Sequence, residues 1–292
     1  MSTFLLQLLN GLQLSMLIFL LAVGLTLIFG LMDSLNLAHG GFYTIGAYAG
    51  AVAATQTKSY WVALAVGPAV AAFFGVLLEV FVQRPLVNRG RSSHLDIALL
   101  TFGLLFVIMG VMELIFGAEY LSIRIPPLLG GTVEMLGIRY PVYRLFIIGL
   151  GLLVALAAWI VLDRTVYGAM VRAGVDNREM VLGMGININL VFAIVFGAGC
   201  ALAGLAGVIA APIFSIYSRM GASILVVIFI VVVIGGLGNF KGSFYGSILV
   251  GMIDTFAAAY FEEAQLFAVY VVLAAVMMFR PQGIFGAKGQ AA

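Results

Sequence analysis

Residues that could do chemistry are few in this chain, and they fall in three places. The first is a polar run from Asp163 to Asn189, DRTVYGAMVRAGVDNREMVLGMGININ, with three Arg, two Asp, one Glu and three Asn. Within it Asp176 can cap a helix, and Glu179 follows at capping-box spacing, by which two orphan backbone donors are satisfied reciprocally. Met180, Val181, Leu182 and Met184 form an apolar patch, and Gly183 and Gly185 stop the helix. The spacing predicts a short amphipathic helix from roughly Asn177 to Leu182. Such a helix either links two buried segments or offers flexible Met side chains to a partner's groove.

The second place is the interruption Asn36-Leu37-Ala38-His39-Gly40, with a counterpart at Gly235-Gly236-Leu237-Gly238-Asn239. An Asn at the head of a half-helix can offer donors and acceptors to a polar solute, and the helix N-terminus favours a carboxylate there. The plainer role is a helix cap at a membrane boundary. Each break precedes a similar heptad, GFYTIGA from Gly41 and GSFYGSI from Gly242. Paired interrupted segments flank transport pathways because unwound backbone at membrane depth must line a cavity or be buried in protein. On this reading Asn36, His39, Gly40, Gly238 and Asn239 are candidates for a translocation pathway.

The third place is a set of isolated carboxylates. Glu79 precedes Arg84 by five residues and can pair with it at the membrane edge. Glu113 stands near the end of its apolar run. Asp254 lies deeper, as a hydrogen-bonded structural carboxyl or a proton or sodium site. Three scattered carboxylates make no ion-coupling relay. No Gly-x-x-x-x-Gly-Lys-[Ser/Thr], His-Glu-x-x-His or Gly-x-Ser-x-Gly pattern occurs, and the two histidines are His39 and His94. The expectation is therefore a non-enzyme with no cofactor, metal or P-loop nucleotide site of its own.

The elements that must position these residues are membrane spans. Of 292 residues 64% are hydrophobic and 9% charged, beyond the apolar fraction of a globular domain. The first apolar run, Phe4 to Leu31, would make a straight helix of roughly 42 Å against a hydrocarbon core of about 30 Å, so it must tilt, break or project. No Lys or Arg precedes Lys58, so this run reads as a retained span and not a cleaved signal. Further spans are expected near 41–55, 61–82, 97–117, 142–162, 190–211, 221–234, 243–260 and 266–279. The chain thus reads as one all-α, polytopic membrane domain over 1–292, with about eight or nine spans and room for broken or re-entrant segments. Gly199, Ala203, Gly207 and Ala211 repeat every four residues, a close-packing ladder. Nine spans place the termini on opposite sides. The segments sharing a side with the Arg84 loop hold nine Lys and Arg against five on the other. The positive-inside rule then puts the N-terminus outside, and the C-terminus and the 163–189 loop in the cytoplasm.

Several segments, in order, resemble the LivH-type permease subunits of branched-chain amino acid ABC importers. They are Gly24-Leu25-Thr26-Leu27-Ile28-Phe29-Gly30, the Asn36–Gly40 stretch with Gly46-Ala47-Tyr48, Arg172-Ala173 with Asn177 and Gly185-Ile186-Asn187, then Gly199 to Pro212. Gly235-Gly236-Leu237-Gly238 with Gly242-Ser243 and the ending Arg280-Pro281-Gln282-Gly283-Ile284-Phe285-Gly286 complete the set. The resemblance implies a bacterial inner-membrane importer with two ABC ATPase subunits carrying ATP and Mg, a second related permease and a periplasmic binding protein. No nucleic-acid partner is implied. It makes Arg172, Ala173, Asp176, Asn177, Glu179, Met180, Gly183, Gly185 and Asn187 the segment that receives the ATPase's motion. Val181 and Leu182 are bulkier than the small residues the family carries there. Near relatives in the family look suited to urea, short amides or aromatic acids. Two unrelated readings compete. One is a passive half-helix channel, with Asn36-Leu37-Ala38 as an Asn-Pro-Ala-like box and Asn239-Phe240-Lys241 as a poor second. The other is a secondary transporter coupled at Asp254.

Overall fold

The computed structural model describes residues 2–32, 36–88, 94–135, 137–176, 178–261, 263 and 265–286. Asn177, which figures in the sequence reading, lies outside these.

All nine expected apolar runs are helical. Six are long and apolar enough to cross a bilayer, and two shorter apolar helices accompany them. The first run is α1, Ser2–Met32, unbroken over 31 residues. Its apolar character all round suits burial, and 78% of its most apolar window is inside the protein. After it come α2, His39–Thr57, and α3, Tyr60–Leu78. The span expected to run straight to Val82 instead loosens at Leu78 into a wide helical turn, Glu79–Gln83, and resumes as α4, Arg84–Asn88. Next is α5, His94–Phe116. The following connection holds a hairpin absent from the sequence reading, with β1, Thr132–Met135, antiparallel to β2, Ile138–Pro141. Then follow α6, Val142–Arg164, α7, Val166–Asp176, and α8, Arg178–Gly183. The chain ends with α9, Ile188–Ala210, α10, Met220–Gly235, α11, Phe240–Tyr260, and α12, Gln265–Phe279.

Two helices make the centre. α1 and α9 cross with Gly24 on Gly199, where a Cβ on Gly24 would stand 2.5 Å from the Gly199 carbonyl oxygen. α3 lies along α9, α11 along α1, and α2 fills the angle between α3 and α9. By contrast, only 17% of the corresponding window of α5 or of α6 is buried, so these two helices lie on the outside of the bundle. Without a hydrophobic driving force between helices in lipid, close backbone approach has to hold such a bundle together. The ladder on α9 is divided between partners: Gly199 meets α1, and Gly207 meets the Tyr43 carbonyl of α2. Ala203 is fully buried, and Ala211 follows the last residue of α9.

Candidate functional site

Two regions at opposite ends of the bundle carry the functional candidates. At one end lies the connection from α6 to α9. The sequence reading expected one short helix; the structure has two, α7 and α8, so most of the polar run is helical. The reason is a second amphipathic stretch. Val171, Ala173, Ile186 and Val195 pack around buried Val181, Ile188 and Phe192. The corner from α6 needs Gly168, whose Cβ would fall 2.1 Å from the Leu162 carbonyl oxygen, and Thr165 Oγ1 accepts the Gly168 N–H at 3.3 Å. The Arg172 guanidinium also donates to the Leu162 carbonyl and folds α7 back on the end of α6.

The expected cap also shifts. Asp176 closes α7 instead of opening α8, which begins at Arg178. The side chains of Asp176 and Glu179 lie outside the described set. The apolar patch expected at Met180–Met184 divides. Val181 turns inward at 1% exposure, whereas Met180 and Met184 are 65% and 61% exposed. The bulk at Val181 therefore goes into the packing between α7 and α9, away from the outer face. α8 ends at Gly183, and Gly185 has φ +79°, a left-handed conformation that side-chain-bearing residues avoid. Asn187 caps α9, its Oδ1 accepting the Leu190 N–H at 3.2 Å. Arg84 braces this junction, holding Glu79 through two hydrogen bonds of 2.6 and 3.0 Å and donating to the Asn189 carbonyl at 2.9 Å.

Of the pathway candidates, Gly238 and Asn239 lie at the same end, beside Gly30 of α1, whereas Asn36, His39 and Gly40 sit at the start of α2 near the middle of the bundle. Asn36 and His39 are buried where α2 begins. Asn36 Oδ1 accepts the Ala38 N–H at 3.1 Å, and a His39 ring nitrogen contacts the Leu21 carbonyl of α1 at 3.1 Å. Gly40 packs on Gly221 of α10, where a Cβ would meet the carbonyl oxygen at 2.2 Å. Gly238 lies beside Gly30 with φ +73°. Asn239 caps α11, accepting the Gly242 N–H at 3.0 Å and donating to the Phe285 carbonyl at 2.8 Å. These residues fasten α2, α11 and the C-terminal turn to α1, and none of them lines either of two cavities elsewhere in the bundle.

Those cavities open at the other end, where α1, α6 and α10 begin and α9 and α11 finish. One, of about 350 Å³, has mainly apolar walls from α1, α10 and α11; the other, of about 320 Å³, carries Gln7, Asn10, Gln13, Arg144 and Asp254 among apolar residues. They meet at Leu14, Phe214 and Asp254. The sequence reading weighed Asp254 alone and passed over Gln7, Asn10 and Gln13. Their three-residue spacing along one face of the first span was the available signal.

Among described residues no group of three or more His, Cys, Asp or Glu could hold a metal ion. The family model described as "Branched-chain amino acid transport system / permease component" matches residues 7–280. The high-affinity branched-chain amino acid transport system permease protein BraD of Pseudomonas aeruginosa is 28% identical, over 96% of this chain and 95% of that protein. LivH of Escherichia coli, described in the same words, is 26% identical over 97% of this chain and 96% of its own length. LivM of the same bacterium is also 26% identical, over 93% of this chain and 68% of that protein.

Proposed function

The chain belongs to the branched-chain amino acid transport system permease family, and we propose that it is the membrane subunit of an ATP-driven importer whose cargo is a branched-chain amino acid. The observation that carries this is the family match over nearly the whole chain. The structure supports the division of labour. It is a membrane bundle whose sequence has no P-loop, so the hydrolysing machinery belongs to separate chains. The α7–α8 hairpin is the surface on which two ATPase subunits dock. Val166, Tyr167, Met180 and Met184 are all exposed there, and a groove on a partner would cover them.

In this reading the hairpin lies in the cytoplasm of a bacterial inner membrane, and the cavity end faces outward to a binding protein that delivers the cargo. A second, related permease completes the pore. That this chain resembles LivH over nearly its whole length and also LivM of the same organism, over 68% of that protein, fits a pair of related permeases. Reconstitution into proteoliposomes with ATPase subunits, a second permease and a binding protein tests the proposal. The expected result is leucine uptake that requires ATP. Uptake by this chain alone, indifferent to ATP, overturns it.

A further inference from the structure

The cavity of about 320 Å³ at the α1 start is lined by one cation and one carboxylate that are not paired with each other. Arg144 comes from α6 and Asp254 from α11. Among described residues the ion pair is Glu79–Arg84, so both charges here stand without a charged protein partner. Arg144 is held by neutral groups: its Nη1 donates to Asn10 Oδ1, Asn10 in turn donates to Gln7, and the Tyr140 side chain lies beside the guanidinium. The Gln265 side chain hydrogen-bonds to Asp254. Gln13 lines the same space at 5% exposure, and its buried Nε2 donor has no hydrogen-bond partner. A donor that deep without an acceptor is costly unless something polar occupies the cavity.

Asp254 is also on the wall of the second cavity, whose deeper part is aliphatic, from Leu17, Ile18, Leu21, Val227, Ile230 and Val250. At about 350 Å³ it lies at the small end of ligand pockets, which run from roughly 300 to 1,000 Å³. The combined space therefore offers an anion site, a cation site and an apolar chamber, joined at Asp254.

We infer that this joined cavity is a binding site for a zwitterionic aliphatic amino acid, with Asp254 taking the ammonium, Arg144 and Gln13 the carboxylate, and the aliphatic chamber the side chain. The inference rests on the proposed function and gives it a site within this single chain. The site lies opposite the α7–α8 hairpin, so the cargo is held at the end farthest from ATP hydrolysis. A fixed pair of opposite charges discriminates against molecules carrying only one of them, because the other charge is then left desolvated and unmatched.

The test is leucine binding to the assembled transporter in detergent, without binding protein or nucleotide, alongside ATP-driven uptake in proteoliposomes. In the wild type, leucine should displace radiolabelled leucine at least about tenfold better than isopentylamine, which lacks the carboxylate, or 4-methylpentanoate, which lacks the ammonium. Asp254→Asn should weaken leucine at least about tenfold while 4-methylpentanoate binds as before. Arg144→Gln should do the reverse, sparing isopentylamine. A merely structural role for either residue would weaken all three ligands together, and that result overturns the site. Val227→Phe, which fills the chamber and leaves both charges, should weaken leucine more than glycine. Leucine binding unchanged in all three variants, or absent from a wild type that still imports leucine, likewise overturns it. If the wild-type complex shows no ATP-driven leucine uptake, the proposed function fails first.

Discussion

At the scale of single residues, the molecule separates positions that tolerate change from those that do not, although both are glycine or charge in a membrane span. Gly40 and Gly221 approach so closely that a Cβ on either would meet the other's carbonyl oxygen at 2.2 Å. Neither backbone can yield, since each belongs to a helix packed on its other sides. Gly40→Ala is expected to destabilise the protein by about 2 kcal/mol or more, the scale of overpacking in a filled core. Gly103 on α5 has no atom within 4 Å of a built Cβ. Gly103→Ala should be neutral or stabilising by up to about 1 kcal/mol, since it removes only the entropic disadvantage of glycine in a helix. Thermal unfolding of the two variants in detergent checks both, and equal midpoints would contradict the packing described. The same logic governs charge. Glu79 is 2% exposed and bound in two-pronged fashion by Arg84. Arg84→Met leaves that carboxylate buried without its partner, a loss of about 3 kcal/mol. Adding Glu79→Gln should recover a large part of it, which a double-mutant cycle on the same unfolding measurement reads directly.

At the scale of elements, the α7–α8 hairpin has an exposed outer face and an inner face that packs it on α9. The turn at Gly185 makes the return possible, and its φ of +79° is far from the roughly −65° that proline imposes. Gly185→Pro is therefore expected to leave the spans inserted and to abolish ATP-dependent uptake, by more than about tenfold, through loss of the α8 exit. Met180→Glu with Met184→Glu keeps the backbone and changes only the exposed face. It should release the ATPase subunits on co-purification while the unfolding free energy stays within about 1 kcal/mol of wild type. Retention of the ATPases by that double variant would place docking elsewhere. The hairpin also marks how far the sequence was legible. All nine apolar runs, the Glu79–Arg84 pair and the stop at Gly183–Gly185 could be read, because hydropathy, charge spacing and glycine conformation are local signals. Reading α7 was harder: its apolar face is half alanine and glycine, and only contact with Ile188 and Phe192 shows that face to be buried. The wide turn at Glu79–Gln83 depends on packing against α9. The joined cavity depends on residues from α1, α6 and α11 that are far apart in the chain.

At the scale of the whole molecule, two three-helix sets are related by exchange. α3 lies on α9 as α11 lies on α1, while α2 runs beside α9 and α10 beside α1. The contacts on the exchange axis are reciprocal, Gly24 with Gly199 and Gly40 with Gly221. This makes α10 the counterpart of α2, although the heptads that look alike in sequence begin α2 and α11. Because α1 ends and α9 begins at the hairpin end, the two sets are inverted in the bilayer, the arrangement that lets one half rock against the other around a fixed site. An inverted arrangement also makes sidedness a sharp question, since the hairpin and the cavity end must open to opposite compartments. The single cysteine makes it easy to ask. Cys200 is fully buried between α9 and its neighbours, so a membrane-impermeant maleimide should leave the natural protein unlabelled from either side. In a Cys200→Ala background, Met184→Cys reports the hairpin and Leu128→Cys the connection between α5 and the β-hairpin, both positions being exposed. With nine basic residues on the hairpin side against five, Met184→Cys is expected to label only in inside-out vesicles and Leu128→Cys only in right-side-out ones. The opposite pattern would invert the transporter and put the zwitterion site in the cytoplasm, where it could not receive cargo from an external binding protein. Labelling of both from one side would break the two-ended architecture itself.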